Sequence, residues 1–322
     1  MRASFRSHST PARTAEMTRA TTGAPDTKQG AAPAVSIGMP AYNAARTIRS
    51  AIDSLLAQSF DDLELIVSDN ASTDETWSII EEYARLDRRV VPLRQPHNIG
   101  ANGNYSAVVR LARGRYFKWA SSNDWCAPHF VARCVAHLER HADTVLVAPR
   151  TRLFENTPDT YVDYDRDQAF DDEDAVARFV RVGSSLALNN VLNGVVRTDA
   201  LRRTRLIEHY PGADIVLVGH LALLGKIVLL DEPLFYRRMD SFTATRLMSA
   251  EAVHRHHYPR NSVRSLFPAW RLAAGWATAA LASGLSVVDS ARALSHVARM
   301  THWMSANLRR DLANALRYPI PR

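Results

Sequence analysis

Short apolar runs alternate with segments of helical periodicity from residue 34 onward. The first run, Ala34–Met39, reads AVSIGM between Pro33 and Pro40, which predicts a buried strand. Repeated β-α-β units with right-handed crossovers form a parallel sheet flanked by helices. The pattern therefore predicts an α/β fold with a mostly parallel, Rossmann-like sheet. The other predicted strands are Leu63–Ser68, Arg89–Leu93, Arg115–Trp119, Val145–Ala148 and Lys226–Leu230, and the predicted helices are Ala44–Leu56, Thr73–Leu86, Asn104–Ala112 and Phe130–Arg140.

Polar residues follow four of the predicted strands at their carboxyl ends. In parallel sheets these ends form the ligand-binding edge, so the four segments are expected to build one site. In the second segment, Ser72 and Glu75 have the spacing of a capping box before the second helix. The four segments are Pro40–Asn43, Asp69–Asp74, Gln95–Asn102 and Ser121–Asp124.

The two ends of the chain differ from the middle in composition. Residues 1–33 are rich in Ser, Thr, Ala, Arg and Gly, which predicts a disordered leader without the apolar segment of a secretion signal. Residues 34–245 carry the α/β pattern, and residues 246–322 are predicted to form a basic α-helical extension. The uncharged run Leu272–Val288 is diluted by small and polar residues, so a membrane-spanning helix is not expected.

The formal net charge of +7 is unevenly distributed. Residues 1–34 contribute +3 and residues 246–322 contribute +8, whereas residues 35–245 carry −4. The basic charge lies outside the α/β region, which argues against a nucleic-acid-binding domain. Cys126 and Cys134 lie on one predicted helix, too far apart for a disulfide, and indicate buried thiols in a reducing cytoplasm.

Four motifs occur in order along the α/β region. They read VSIGMPAYN at 35–43, SDNASTDET at 68–76, NIGANGNY at 98–105 and ARGRYFKWASSND at 112–124. In this order and spacing they resemble the family-2 glycosyltransferases of the GT-A fold, over residues 34–240. The resemblance implies an inverting enzyme of the hexosyltransferase type, with a nucleoside-diphosphate sugar as donor and Mn²⁺ or Mg²⁺ as cofactor.

The resemblance places the donor against the loops that follow the first strands. Tyr42 offers a flat face for stacking on the base, and Asp69 supplies a carboxylate that accepts a base N–H. Asn43 has an alternative role as the cap of the next helix, and Gly100 permits a backbone turn with positive φ. The donor-binding residues implied are Pro40, Tyr42, Asn43, Asp69, Asn98, Gly100, Asn123 and Arg238.

Asn123 and Asp124 stand in the position of the family's paired-acid metal motif. Because an amide replaces the first acid, the site is expected to bind the metal more weakly. Asp240 stands where a His often follows the Tyr-Arg-Arg segment and is the third implied metal ligand. Asp214, which opens an apolar helix, is implied as the general base for the acceptor hydroxyl. The competing acids of a polar loop are Asp163, Asp165 and Asp167.

These residues predict a glycosyltransferase of bacterial surface polysaccharide or glycolipid synthesis, with a glycan, glycolipid or lipid-linked acceptor. One alternative is a nucleotidyltransferase of similar architecture, although the turn PAYNAA lacks the Gly-rich basic loop that such enzymes carry. The other is an inactive nucleotide-sugar-binding protein, because Asn123 weakens the metal motif. A cytoplasmic location is expected, and no nucleic-acid partner.

Arginines and aromatic residues are spread through residues 263–318 of the extension. A basic, Trp-containing amphipathic helix lies on an anionic leaflet with its apolar face among the headgroups, which would place the protein on the inner face of the cell membrane. The alternative is that these helices pack on the catalytic domain or in a homodimer. The residues concerned are Arg264, Phe267, Trp270, Arg271, Trp276, Arg292, Arg299, Trp303, Arg309, Arg310 and Arg317.

Overall fold

The computed structural model describes residues 31–239 and 267–317, and its first half follows the hydrophobic pattern closely. This half contains β1 (Val35–Ala41), α1 (Ile48–Leu56), β2 (Leu63–Asp69), α2 (Thr76–Leu86), β3 (Val90–Arg94), α3 (Ala101–Leu111) and β4 (Tyr116–Trp119). The four strands are parallel in the order β3-β2-β1-β4. β1 and β2 are buried at every position because helices cover both faces of the sheet.

The second half of the sheet is mixed rather than parallel. Its elements are β5 (Trp125–Cys126), α4 (Phe130–Arg140), β6 (Thr144–Phe154), β7 (Tyr161–Asp163), α5 (Ala175–Ser185), a 3₁₀ turn (Val191–Asn193), β8 (Val195–Arg197), α6 (Thr198–Arg202), α7 (Ala213–Leu224) and β9 (Lys226–Arg238). β8 lies antiparallel between β4 and β6, and β9 is parallel to β6 and antiparallel to β5. β8 follows a turn at the carboxyl edge of the sheet, so it runs back through the sheet in the opposite direction.

Three C-terminal helices follow; the first packs against α7, the second against α5, and the third against the first two. These are α8 (Pro268–Ala282), α9 (Val287–Trp303) and α10 (Ser305–Arg317). Trp276 is 2% exposed and lies so close to Gly219 of α7 that a β-carbon there would meet its ring at 2.4 Å. Its ring also packs edge-on against Phe179 with centroids 4.9 Å apart, and Arg292 pairs with Asp174 at the start of α5. In the described ranges, no helix is both long and apolar enough to cross a membrane.

Two local predictions were wrong. Cys126 ends β5 whereas Cys134 lies in α4, so the two do not share a helix, although both are buried free thiols as expected. Ser72 and Glu75 do not form a capping box, because α2 starts only at Thr76 without a side-chain cap. The Ser72 hydroxyl instead accepts the backbone N–H of Asn43 at 2.9 Å, which joins the loops after β1 and β2.

Candidate active site

The carboxyl ends of β1 and β2 lie side by side, with Ala41 opposite Asp69. Asn104 of α3 bridges them, because its Nδ2 donates to the carbonyls of Ala41 at 3.4 Å and Ser68 at 2.9 Å, and its Oδ1 accepts from the Ser68 hydroxyl at 2.5 Å. Asn104 is 2% exposed, so a buried amide fixes this edge. Sequence reasoning missed this residue, since a polar side chain on a helix gives no signal in a hydrophobic pattern.

The turn that follows β1 is hydrogen-bonded to the loop that follows β2. Asn43 has a φ of 48°, and its Oδ1 accepts the backbone N–H of Thr73 at 2.9 Å. The alternative role of Asn43 as the cap of α1 is therefore wrong, because Thr47 is the residue that precedes this helix. Pro40 lies in β1 itself, and Tyr42 stands out from the turn with 48% of its surface exposed. Tyr42 thus presents a free ring at the strand edge.

Asp69 is a fully buried carboxylate at the end of β2. Both of its oxygens accept the Ser72 N–H, at 3.2 and 3.3 Å. The Nε of Arg94, on β3, lies 3.6 Å from Oδ2, and its guanidinium also lies over the Trp77 ring at 5.2 Å. The side chain of Arg94 is half exposed, so this cation borders the entrance to the buried acid.

Asn98 and Gly100 form the entry to α3. The Asn98 Oδ1 accepts from Asn70 Nδ2 at 3.0 Å and from the Gly100 N–H at 2.8 Å, while Asn70 Oδ1 accepts the Ile99 N–H. Gly100 has a φ of 80° and a ψ of 157°, a conformation that side chains disfavour, so glycine is required here. The motif therefore fastens the loop after β3 to the loop after β2.

Asp124 is 8% exposed and lies among positive groups. Its Oδ1 accepts the backbone N–H of Arg238 at 2.9 Å. Burial raises the pKa of the Asp124 carboxyl, and the charge of Arg237, the Arg238 N–H, a hydrogen bond with Ser121 and the charge of Lys118 oppose that rise. The site thus holds one carboxylate between two cations.

Lys118 is one of these two cations and has no exposed surface. Its Nζ donates to the carbonyl oxygens of Trp119 at 2.9 Å and Asn193 at 2.7 Å, and lies 4.3 Å from the centre of the Phe130 ring. Its Nζ thus has hydrogen-bond partners inside the fold, as a buried polar group requires. Sequence reasoning assigned no role to this residue.

Arg237 and Arg238 point to opposite faces of β9, as successive strand residues do. The Arg238 guanidinium donates to the carbonyls of Asn123 at 3.1 Å, Glu155 at 2.6 Å and Asn156 at 2.9 Å. Arg237 instead donates to Asn190 Oδ1 at 2.6 Å, and its charge opposes the rise in the pKa of Asp124. The Arg238 guanidinium thus joins three loop carbonyls beside Asp124, and Arg237 is a second candidate cation. The role of Arg238 in donor binding stays a prediction.

Asp214 lies in the first turn of α7, after Gly212, whose φ is 83°. Its Oδ2 accepts from Asn189 Nδ2 at 2.9 Å. The position at a helix N-terminus stabilises a carboxylate. Of the competing acids, Asp163 pairs with Arg152, and Asp167 binds the Thr151 N–H at 2.6 Å.

The Tyr105 hydroxyl lies within electrostatic reach of several of these groups. Burial raises the pKa of its hydroxyl, as do the charges of Asp124 and Asp214, while a hydrogen bond with Ser121 and the charge of Arg237 lower it. One hydroxyl at the carboxyl edge of the sheet therefore interacts with both predicted acids and with Arg237. Tyr105 belongs to the NIGANGNY motif, whereas the charged groups that act on it come from three distant segments of the chain.

The residues around Asp124 fit a metal that is held mainly by phosphate. Within residues 31–239 and 267–317, no three His, Cys, Asp or Glu side chains form a metal cluster. Mg²⁺ and similar ions are often bound by one or two carboxylates together with substrate phosphates and water, for which Asp124 suffices. Asn123 precedes it in the sequence, and its uncharged amide oxygen would be a second oxygen ligand for the metal. Asp240, the third implied ligand, lies outside the described residues.

Residues 36–208 match the family model of Glycosyl transferase family 2. The Escherichia coli protein UDP-Glc:alpha-D-GlcNAc-diphosphoundecaprenol beta-1,3-glucosyltransferase WfaP is 35% identical over 91 residues, which are 28% of this chain and 36% of that protein. An uncharacterized glycosyltransferase of Haemophilus influenzae is 32% identical over 109 residues, or 34% of each chain. The matched segment spans about a third of the length of these relatives.

The fold also resembles solved structures. The crystal structure of S. aureus TarS 1-349 superposes with a TM-score of 0.58 at 18% identity, covering 82% of this chain and 70% of that one. This likeness confirms the predicted α/β, GT-A-type architecture with helices after the sheet. Because the family model covers more than half of the sequence, the chain belongs to glycosyl transferase family 2.

Proposed function

We propose that this chain transfers a sugar from a nucleoside diphosphate to an acceptor hydroxyl, with inversion at the anomeric carbon. The observation that carries the proposal is that the adjacent residues Asn189 and Asn190 bind Asp214 and Arg237, while Asp124, Arg237 and Asp214 all act electrostatically on the Tyr105 hydroxyl. These groups supply a metal-anchoring acid, a cation for the leaving diphosphate and a carboxylate for the acceptor proton. Membership of the family supports the same reaction.

The nucleotide is assigned to the loops after β1, β2 and β3. The exposed ring of Tyr42 stacks on the base, and Asp69 accepts a base N–H beside the half-exposed Arg94. The backbone at Pro40 and Asn43, and the Asn98–Gly100 turn, complete the walls. A relative uses UDP-Glc by its name, so uridine diphosphate is the nucleotide that we propose.

The diphosphate is assigned to the space in front of Asp124. Asp124 and the amide oxygen of Asn123 would hold Mn²⁺ or Mg²⁺, which offsets the charge that builds up on the leaving phosphate. Arg237 adds a fixed cation, oriented by Asn190 at 2.6 Å. Buried Lys118 contributes a second positive charge, whose effect opposes the rise in the pKa of Asp124.

Asp214 is assigned as the general base. The acceptor oxygen forms a bond to C1 of the sugar as the bond between C1 and the phosphate oxygen breaks. The electron pair leaves with the nucleoside diphosphate, and the acceptor proton goes to Asp214. A single displacement of this kind inverts the anomeric configuration. The hydrogen bond from Asn189 occupies Oδ2 and leaves Oδ1 for the proton.

A turnover assay tests the proposal. The purified chain is incubated with UDP-sugars and Mn²⁺, with undecaprenyl-diphosphate-linked sugars as acceptors, and release of UDP is measured. We expect release that requires the acceptor and falls by roughly 10²-fold when Asp214 is replaced by Asn. Selective binding of a UDP-sugar without release of UDP would instead support an inactive nucleotide-sugar-binding protein.

We also propose that residues 34–245 are the catalytic domain and that the extension, 246–322, brings it to the inner face of a membrane. Arg309, Leu312 and Leu316 share one face of α10, because they are spaced by three and four residues, and all are exposed. Trp303 is 70% exposed nearby in sequence. The single acid between residues 290 and 317, Asp311, is buried, so the exposed charge of this surface is basic and suits anionic lipid.

Co-sedimentation with phosphatidylglycerol vesicles tests the membrane proposal. We expect the full chain to bind at low salt, and binding to fall when Arg299, Arg309 and Arg310 are replaced by Gln. A matched control replaces three exposed arginines of the catalytic domain, Arg85, Arg88 and Arg140. Equal binding by the two triple variants, or a homodimer that buries Trp303 in solution, would contradict the proposal.

A further inference from the structure

Two consecutive residues bind the two charged groups on which the proposed reaction depends. Asn189 Nδ2 donates to Asp214 Oδ2 at 2.9 Å, and Asn190 Oδ1 accepts from Arg237 at 2.6 Å. Asp214 and Arg237 come from different elements, α7 and β9. The residues that bind the candidate base and the candidate phosphate-binding cation are therefore joined by a single peptide bond.

The segment that carries this pair is itself anchored. Asn190 is 4% exposed, and its Nδ2 donates to Asp167 Oδ1 at 2.9 Å, while the other Asp167 oxygen binds the Thr151 N–H of β6. The backbone N–H of Asn193 donates to the Asn190 carbonyl at 2.9 Å, and the Asn193 carbonyl in turn accepts from Lys118. The turn is thus fixed to the sheet on two sides.

Asn189 is held differently, through its contact with the base. Its Oδ1 is buried without a hydrogen-bond partner among the residues that the structure describes, whereas its Nδ2 donates to the Asp214 carboxylate. The reverse orientation of the amide would place two oxygens against each other, so the carboxylate fixes the orientation. An unsatisfied buried carbonyl costs stability, so a role in folding does not account for this asparagine.

We propose that Asn189 and Asn190 form a positioning element that sets the distance between the base and the leaving group. Asn189 binds Oδ2 of Asp214 and so orients the carboxylate with Oδ1 toward the acceptor hydroxyl. Asn190 holds Arg237 at the diphosphate. A direct displacement requires attacking and leaving oxygens on opposite sides of C1, and a misplacement of about 1 Å costs roughly 10²-fold in rate. This inference rests on the proposed function. It assigns the alignment of the attacking and leaving oxygens to the turn that carries Asn189 and Asn190.

The two asparagines are expected to affect different kinetic constants. Asn189→Ala lowers kcat by roughly 10- to 100-fold, with the KM for the UDP-sugar unchanged within about twofold. Asn190→Ala frees Arg237 and raises the KM for the donor by roughly tenfold. The control is Asn193→Ala, because the contacts of Asn193 that hold the turn run through its backbone. This control keeps wild-type kcat and KM.

A double-mutant cycle decides whether Asn189 acts through Asp214. In an Asp214→Asn background, adding Asn189→Ala has no further effect on the residual rate. An equal loss of rate in both backgrounds, or a loss matched by Asn193→Ala, would overturn the assignment.

Binding of UDP separates this inference from the proposed function. Calorimetry with UDP and Mn²⁺ shows weaker binding by Asn190→Ala and unchanged binding by Asn189→Ala and Asn193→Ala. Identical affinity in all four proteins refutes the Asn190 assignment. A wild-type chain that binds UDP but releases none from any UDP-sugar refutes the proposed function instead. In that case, a cycle of unfolding free energies for Asn189 and Asp214 still tests their coupling, and additive effects refute it.

Discussion

Acidification is expected to destabilise the packing of the C-terminal helices through His220. This histidine lies on α7, is 4% exposed, and its Nε2 has no partner in the described residues. Burial, and to a lesser extent the charge of Arg203, lowers the pKa of His220 to about 4 from its ordinary value of 6.5. The folded state therefore favours neutral imidazole, so stability is complete above pH 6.5 and falls as the pH drops toward 4.

The size of the effect follows from the two pKa values. For one group that titrates at 6.5 in the unfolded chain and at about 4 in the folded chain, linkage gives a loss of about 2 kcal/mol at pH 5. His296 on α9 adds to the loss with the same sign, because burial also lowers its pKa. Carboxylates whose pKa is lowered in the fold reduce its stability only at more acidic pH, and Asp124, whose pKa is raised, contributes with the opposite sign. The loss at pH 5 is therefore assigned to the histidines.

Urea unfolding followed by tryptophan fluorescence, at pH 7.5 and pH 5, measures the loss. Replacing His220 with Leu removes the titrating group and an unsatisfied nitrogen, so we expect this variant to lose about 2 kcal/mol less than the wild type between the two pH values. His302→Leu, on the exposed part of α9, is the matched control and keeps the wild-type pH dependence. If His220→Leu and the wild type lose the same free energy, the neutral buried imidazole is refuted.

Three further outcomes concern the site. Asp214→Asn should lower turnover by roughly 10²-fold while UDP-sugar binding measured by calorimetry persists; near wild-type turnover would direct attention to the acids of the 159–174 segment. Asn123→Asp restores a second carboxylate, so half-maximal activity should need less Mn²⁺, and wild-type activity that survives EDTA would rule out the metal. Arg237→Ala should raise the donor KM with little change in unfolding free energy, whereas Arg238→Ala should mainly destabilise, because its guanidinium holds three carbonyls. The opposite pattern in kinetics and urea unfolding would reverse the two roles.

The strands could be predicted from the sequence only where the local hydrophobic pattern defines them. β1 and β2 are apolar runs covered on both faces, so their bounds were predicted to within two residues. β8 has three residues, and its antiparallel direction depends on where the preceding turn enters the sheet. Such a short strand carries no period long enough to detect. The same limit explains Cys126, which was placed on a helix and ends a two-residue strand.

The sequence by itself determined the family, the strand-end position of the loops proposed as the site, and the position of Asp214 at a helix start, because these depend on motif order and on periodicity. Only the tertiary structure decided that the Arg237 side chain binds Asn190 and the Arg238 side chain binds loop carbonyls, since strand alternation requires opposite faces without saying which is inner. It also brought Asn189 to Asp214 and Asn190 to Arg237, over separations of 25 and 47 residues. Hydrogen bonds between residues so far apart depend on the register of the whole sheet, which a local pattern does not contain.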